Sequence, residues 1–460
     1  MKQIVQNLKT GETSLESVPV PKVKKNHVLI QTTNTLVSLG TEKMLVNFGK
    51  ANYFQKARQQ PDKVKQAIEK IKTDGLKPTV DAIFRKLDQP LPLGYCNVGK
   101  VIGVGESVNG FSIGDRVVSN GHHAEVVQVP KNIVELIPEN VTDEEATFTI
   151  VGAIGLQGIR VLNPTFGETI VVFGLGLIGL ISAQLLKANG CNVIGIDFDE
   201  SKLKIANSYG IKTINSLDKN TINLVHSMTG NIGADGVLIT ASAKTNSIVC
   251  ESAQMCRQRG RVILVGVVGL ELNRSDFYEK EISFQVSCSY GPGRYDSAYE
   301  NKGLDYPIGH VRWTEKRNFN AVLNALAKGT LKVEKLVTER VKLDKYQRVY
   351  DDLENTNKIA SIIQFEARRL TTENDIVTSC VKSFEKSKGA IGIIGAGNFT
   401  SSTVLPCLKN AGMNIDYIAS SNGLTGSLLA KKYKIPNSTT NYSHILNDDN
   451  VEGVVITTRH

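Results

Sequence analysis

The spacing at which apolar residues recur changes along the chain, and each change marks a unit. Over residues 1–48, short β-prone runs such as 28–32 are broken by Pro19, Pro21 and Gly40, the pattern of a partly buried sheet. At 49–90 the period turns helical. Val64, Ala67, Ile68 and Ile71 share one face, Asp74-Gly75 interrupts it, and Val80, Ile83, Phe84 and Leu87 restore it. That spacing predicts two amphipathic helices joined by a turn. Glycines at 94, 99, 103, 105, 110, 114 and 121 then punctuate short apolar runs, so the β-rich lobe resumes and extends to about residue 140.

From 141 to 285, apolar runs at 169–173, 192–197, 236–240 and 261–267 alternate with helical stretches. This alternation predicts an α/β unit with a doubly wound parallel sheet. Residues 286–366 return to aromatic and polar sequence, include the only tryptophan, Trp313, and close on a strand-like run at 360–365. The charged, weakly periodic stretch 367–388 reads as a linker. A further unit opens at 389, with a strand at 390–394, a turn at Gly395-Ala396-Gly397, a helix at 403–410 and a strand at 416–419. The last apolar run, Val454-Val455-Ile456, supplies a third strand just before His460, so 389–460 is expected to be a partial Rossmann unit.

Two glycine loops carry the most specific chemistry. In Gly174-Leu175-Gly176-Leu177-Ile178-Gly179 the spacing is G-x-G-x-x-G, after a strand and before a helix. Gly174 permits the tight turn, Gly176 lets the backbone approach a pyrophosphate, and Gly179 lets helix and strand pack closely. The N–H groups of Leu177 and Ile178 belong to the helix start that faces the phosphates. Asp197 ends the next strand, where a carboxylate accepts from ribose hydroxyls and repels a 2′-phosphate, so NAD(H) is favoured over NADP(H). Asp199 is an alternative acceptor, and a βα turn that binds nothing is the bland alternative. The second loop, Gly395-x-Gly397-x-x-Thr400, departs at its third glycine, and its second strand ends in Ser420-Ser421. A hydroxyl pair does not repel a 2′-phosphate, so NAD, NADP or no cofactor are all open there.

Composition removes several classes. With 460 residues, 41% apolar, 22% charged and 40 glycines, the chain has enough apolar sequence for two or three cores and is neither fibrous nor disordered. The net charge of +9 suggests anionic partners. Ten Lys or Arg against five Asp or Glu fall between Lys50 and Asp88, but they alternate and lack interleaved aromatics. This is the pattern of a solvated helical face, and no nucleic acid partner is expected. Cysteines at 96, 191, 250, 256, 288, 380 and 407 form no Cys-x-x-Cys pair, which fits reduced thiols and a cytoplasmic location. The first ten residues lack the apolar core of a signal peptide. The uncharged stretch 170–186 is divided by glycines at motif spacing, so no membrane span is expected.

The order of lobes and motifs over 1–366 resembles the medium-chain dehydrogenase/reductase superfamily of alcohol dehydrogenase type. Gly114-Asp115-Arg116-Val117, Ala124-Glu125 with Val129-Pro130, and the segment 171–197 carry the resemblance. It implies a GroES-like catalytic lobe at 1–140 with the helical insertion 49–90, an NAD-binding Rossmann domain at 141–285, and a return to the catalytic lobe at 286–366. From residue 390 the chain resembles the start of a Gfo/Idh/MocA-type oxidoreductase, most closely over 391–409. The tandem is similar to bacterial bi-domain oxidoreductases associated with surface-polysaccharide biosynthesis. The matching runs are Ser38-Leu39-Gly40-Thr41-Glu42, Leu91-Pro92-Leu93-Gly94-Tyr95, Ser289-Tyr290-Gly291-Pro292-Gly293-Arg294-Tyr295-Asp296 and Arg312-Trp313-Thr314-Glu315. A homodimer is implied at the family level.

Zinc-dependent members of that superfamily place a Cys after the first lobe's strand and a His in a Gly-His-Glu turn, where this chain has Ser38 and Tyr95. Catalytic zinc needs three Cys, His or carboxylate ligands. The sequence does not assemble them, so no metal is expected. A side chain or water must then move the proton of an alcohol oxidation. Tyr95 is the first candidate, the alternative being a tyrosine packed in the β lobe. His122 is the second; it neighbours His123, and adjacent strand residues face opposite ways, so one of the two at most points inward. Glu42 either accepts substrate hydroxyls or caps the helix that follows. Arg294, Arg312 and Trp313 lie among Arg317, Tyr295, Tyr299 and Tyr306. Guanidinium groups suit phosphate or carboxylate and aromatic faces suit a sugar, so an anionic sugar derivative is the expected substrate, unless this stretch is a subunit interface. The expectation is an NAD-dependent oxidoreductase acting on a sugar, polyol or nucleotide-sugar hydroxyl or carbonyl. A zinc-independent quinone or enone reductase and a non-catalytic NAD-binding sensor or assembly protein are the alternatives.

Overall fold

Six parallel strands form the central sheet in the spatial order Lys212–Asn215, Asn192–Asp197, Thr169–Phe173, Ala234–Ile239, Cys256–Leu264 and Ser283–Val286. Strand Thr169–Phe173 is paired on both sides and four of its five residues are buried, which is why it reads as an unbroken apolar run. Strand order reverses beside it, between Asn192–Asp197 and Ala234–Ile239, and so opens a crevice at the carboxyl ends of the strands. Helices Thr149–Leu162 and Leu177–Ala188 cover one face through Ile150, Ile181 and Leu186, and Val225 and Val249 cover the other. The computed structural model describes residues 1–74, 79–80, 83–84, 87, 89–218, 220–353, 355, 358–366, 373–379 and 389–458.

The first lobe holds a sheet ordered Val337–Lys342, Ala360–Gln364, His27–Ser38, Asn97–Val104, Arg116–Ser119 and Val134–Leu136, with Val126–Pro130 added on His27–Ser38. The chain thus comes back from the central sheet to supply two strands of the lobe in which it began. A smaller sheet joins Thr13–Ser17, Lys2–Gln6 and Leu91–Pro92. Helix Leu39–Lys50 starts directly after strand His27–Ser38, earlier than the insertion boundary of 49 drawn from sequence. Tyr53–Gln59 and Pro61–Asp74 follow as separate helices, broken where the capping box of Asn52 and the proline at 61 impose starts. Gly75, the expected turn, lies outside the described residues.

In the C-terminal unit, Asn437–Thr439, Asn414–Ala419, Ala390–Ile394 and Val451–Ile456 are parallel in that order, with Ile376–Thr378 antiparallel on the edge. That is four parallel strands, not the three expected. The unseen one, Asn-Ser-Thr, has no apolar run to betray it, because its buried hydroxyls bond within the fold. Ile376–Thr378 lies inside the stretch expected to be linker; of the rest of that stretch, 367–372 and 380–388 lie outside the described residues. The unit is seated on the first lobe. Val5 and Val18 pack with Leu424, Val20 donates its N–H to the Asn374 carbonyl at 2.8 Å, and Thr440 donates its hydroxyl to the Val20 carbonyl at 2.6 Å.

Candidate functional site

The loop after Thr169–Phe173 shows three different reasons for its glycines. Gly174 has φ +100°, a left-handed conformation, and a Cβ there would stand 2.6 Å from the Ala241 amide nitrogen. A Cβ on Gly179 would collide with the Gly174 carbonyl oxygen, whereas one on Gly176 would meet nothing within 4 Å. The space at Gly176 is therefore open, beside the N-terminus of helix Leu177–Ala188, whose first N–H groups have no helical partner. Leu177 is buried and Ile178 half-buried, so both serve through backbone and packing. Asp197 ends the adjacent strand. Its Oδ2 accepts the Leu175 N–H at 2.7 Å and its Oδ1 the Asp199 N–H at 3.0 Å, which fixes the carboxylate at the loop with acceptor capacity left over. Asp199 is committed elsewhere, capping helix Glu200–Ser208 through the Ser201 N–H at 2.9 Å. The cradle fits the pyrophosphate and adenosine ribose of a nicotinamide dinucleotide.

The second loop is built similarly with one exchange. Gly395 has φ +115° and Gly397 faces open space. Thr400, in the place of the third glycine, donates its hydroxyl to the Gly395 carbonyl at 2.9 Å, and Thr457 does so at the same distance. The hydroxyls occupy the ground between helix and strand that a glycine would have left free.

Where the strands Ala234–Ile239, Cys256–Leu264 and Ser283–Val286 end, the first lobe faces the crevice. Tyr290, four residues beyond Val286, is buried against Phe319 with ring centroids 5.5 Å apart, and its hydroxyl accepts from the Asn120 amide of the first lobe. Burial raises the Tyr290 hydroxyl above its ordinary range. His122 follows two residues after Asn120. Its Nδ1 lies 2.9 Å from the Gly94 carbonyl, so Nδ1 carries the hydrogen. Burial lowers the imidazole below its ordinary value, with the Gly94 bond opposing, which leaves a neutral ring with Nε2 as an acceptor. Gly94 has φ +88° and directly precedes Tyr95, a half-buried ring packed against the main core.

His123 points the other way, as alternation requires. It is fully buried, with Nδ1 2.7 Å from the Thr35 hydroxyl and Nε2 3.2 Å from both Glu42 carboxylate oxygens. Tyr350 donates its hydroxyl to Glu42 Oε2 at 2.6 Å. Glu42 is thus sealed in the lobe, where it neither caps its helix nor reaches solvent, and burial, with the Glu42 charge adding to it, raises the nearby Cys96 thiol. This network corrects the expectation of Glu42 as a group touching substrate: it positions the loops that carry Tyr95 and His122.

Of the three residues expected to meet substrate, the structure brings only Arg294 into a cavity with His122, at the junction of the first lobe, the 290–301 segment and the C-terminal unit. Arg294 pairs with Glu300 at 2.5 Å, and its buried Nε has no hydrogen-bond partner among the described residues. Arg312 and Trp313 turn toward helix Thr149–Leu162. The guanidinium carbons of Arg160 and Arg312 lie 3.3 and 3.8 Å from the Trp313 ring centroid. Arg160 binds Asn318 Oδ1 at 2.7 Å, and Asn318 in turn donates to the Tyr290 carbonyl at 2.9 Å, so this stack braces Tyr290 from behind. Burial and the neighbouring Arg312 bring the Arg160 guanidinium down to about 10. Arg317 is tied to Asp305. Sequence reasoning missed Asn120 and Glu315 as site features. Glu315 is buried at the start of helix Glu315–Ala327 with neither carboxylate oxygen bonded among the described residues, and burial and Glu300 push it up to about 8. Among the described residues no three His, Cys, Asp or Glu side chains converge to hold a metal ion.

Residues 178–301 match the family described as zinc-binding dehydrogenase. The chain is 28% identical over 246 residues to a sorbitol dehydrogenase of Halalkalibacterium halodurans, covering 45% of this chain and 71% of that protein. It is 24% identical over 322 residues to an acryloyl-coenzyme A reductase of Metallosphaera sedula, covering 62% and 86%. The structure of an alcohol dehydrogenase from Thermus sp. ATN1 superposes with a TM-score of 0.61 at 19% identity, covering 80% of this chain and all of that one. The chain therefore shares the fold of that alcohol dehydrogenase, in which a β-rich lobe is joined to a doubly wound α/β domain. The matched proteins are dehydrogenases and reductases, and in this chain a smaller parallel α/β unit follows the shared fold. No described helix is long and apolar enough to cross a membrane.

Proposed function

We propose that the protein is an NAD(H)-dependent oxidoreductase that interconverts a hydroxyl and a carbonyl on a polyol, a sugar or a nucleotide-linked sugar, in the cytoplasmic steps of surface-polysaccharide synthesis. The observation that carries the cofactor preference is Asp197, held by the Leu175 amide at the edge of the open space at Gly176. A carboxylate there accepts from a ribose 2′-hydroxyl and repels a 2′-phosphate. Likeness to a sorbitol dehydrogenase supports a polyol or sugar substrate, and the resemblance of the sequence runs to bi-domain oxidoreductases supports the biosynthetic setting.

A dinucleotide bound at Gly174–Gly179 would accept or deliver the hydride. The chain's own residues must handle the proton. Ser38 and Tyr95, at the positions where zinc-dependent relatives carry ligands, offer hydroxyls, and this donor set does not fit a catalytic zinc. Tyr95 is the group proposed to donate to or accept from the substrate oxygen, with His122 beside it, neutral and with Nε2 open, as the second proton carrier. Glu42 and His123 hold the Gly94-Tyr95 turn, since Gly94 lies against the His123 ring. At the second loop, Gly395 and Gly397 are proposed to hold NAD or NADP. Likeness to an acryloyl-coenzyme A reductase, with the hydroxyl donor set, favours a zinc-independent enone reductase as the second reading.

The deciding experiment is titration with NADH and NADPH followed by nicotinamide fluorescence, then turnover on sorbitol, UDP-glucose and an enone. NADH binding with oxidation of a hydroxylated substrate is the expected result. Absence of NADH binding, with Asp197→Ala behaving like the wild type, overturns the reading.

A further inference from the structure

The cavity shared by the first lobe and the C-terminal unit encloses about 320 Å³, within the range of small-molecule sites. Its wall comes from three places in the sequence: Asn120 and His122 from the first lobe, Arg294 and Glu300 from the segment after the central sheet, and Asn422 with Leu424 from the C-terminal unit. It adjoins the reaction crevice, because His122 is bonded to Gly94, next to Tyr95, and Asn120 to Tyr290, just past the sixth strand.

We propose that this cavity is a subsite for a polyhydroxylated ring or chain, and that the C-terminal unit completes it by presenting the Asn422 amide. The inference rests on the reading of the protein as a sugar or polyol oxidoreductase and adds where the remote hydroxyls are held. Asn422 is placed for the role by the fold. Its Oδ1 accepts from the Lys24 ammonium at 2.6 Å, which leaves its N–H groups to face other partners. Leu424 is anchored with Val5 and Val18, and Gly423 between them has φ +79°, its Cβ position 2.8 Å from the Pro19 carbonyl. The segment 422–424 is therefore seated on the first lobe in one conformation.

The chemistry of the wall selects the class. A hydroxyl both donates and accepts, and the wall offers both: acceptors at His122 Nε2 and Glu300, donors at Asn422 and Arg294. Pro21, Pro92, Val127 and Leu424 supply apolar surface for C–H faces. A phosphate would want uncompensated cations, but Arg294 is balanced by Glu300 and His122 is held neutral.

The test uses the full chain saturated with NADH, titrated calorimetrically with sorbitol and with UDP-glucose. Asn422→Ala is expected to weaken binding of the better probe by about fivefold, the loss of one hydrogen bond, with NADH affinity unchanged. Asn301→Trp, at an exposed position on the wall, is expected to abolish probe binding while thermal stability and NADH binding persist. If a probe binds and is turned over but neither variant changes its affinity, the subsite is overturned and the oxidoreductase reading stands. If NADH binds and neither probe binds or reacts, the sugar and polyol reading falls and the subsite with it.

Discussion

The carboxylate of Asp197 reaches from the end of one strand to the backbone N–H of Leu175, 2.7 Å away, in the middle of the neighbouring glycine loop. The same group thus ties the end of one strand to the loop that follows its neighbour. Asp197→Ala removes a charged acceptor, an effect of about 1.5–3 kcal/mol, or roughly 10–100-fold in NADH dissociation constant. Asp197→Asn keeps one acceptor oxygen for Leu175 and is expected to fall between. Fluorescence titration with NADH checks both, and discrimination against NADPH narrows in each variant.

Gly176→Ala and Gly179→Ala separate binding from folding. The added methyl at 176 meets no protein atom, so thermal stability holds while NADH binding is lost to the obstructed phosphate approach. At 179 it collides with the Gly174 carbonyl, and a cost of about 1–3 kcal/mol from overpacking is expected in urea denaturation.

Glu42→Ala leaves the His123 Nε2 and the Tyr350 hydroxyl without their shared partner in a sealed interior. Each buried orphan costs about 1–3 kcal/mol. Tyr350→Phe removes one bond and costs less. Because Gly94 rests on the His123 ring, kcat is expected to fall in Glu42→Ala while NADH affinity holds, measured at a temperature where the variant is folded.

Glu315 gives stability a pH dependence of opposite sign to that of a paired carboxylate. Its folded pKa is pushed up to about 8, above the ordinary 4.5, by burial and Glu300. Between those values the folded state keeps a proton that the unfolded state has released, so stability falls as pH rises from 4.5 toward 8 and levels beyond. Glu315→Gln keeps the shape without the charge. Its urea midpoint is expected to change less than that of the wild type between pH 6 and pH 8.5, and to exceed it at the higher pH.

The strand–turn–helix at the first glycine loop was legible because every one of its signals is local: three glycines, a strand before, a helix after, and an acid at a fixed distance. The strand Asn437–Thr439 was not, because polar residues buried by mutual hydroxyl bonds leave no apolar trace. Glu42 and His123 are 81 residues apart, and Lys24 and Asn422 are 398 apart. Such pairs are created by topology, which spacing along the chain does not encode. Arg312 and Trp313 were singled out as substrate residues, but residue type alone does not tell an arginine that meets a ligand from one that stacks on its own neighbour.

The central sheet draws its strands from one continuous stretch, residues 169–286, whereas strand His27–Ser38 of the first lobe is paired with Ala360–Gln364 and Val20 is bonded to Asn374 and Thr440. As the chain leaves the ribosome, the dinucleotide sheet has all its strands once residue 286 has emerged. The first lobe must wait, with the 34–38 end of its long strand unpaired on that side, until residue 364 arrives. An open strand edge of that kind is what chaperones guard during synthesis. Residues 20 and 34–38 are therefore made long before their final partners.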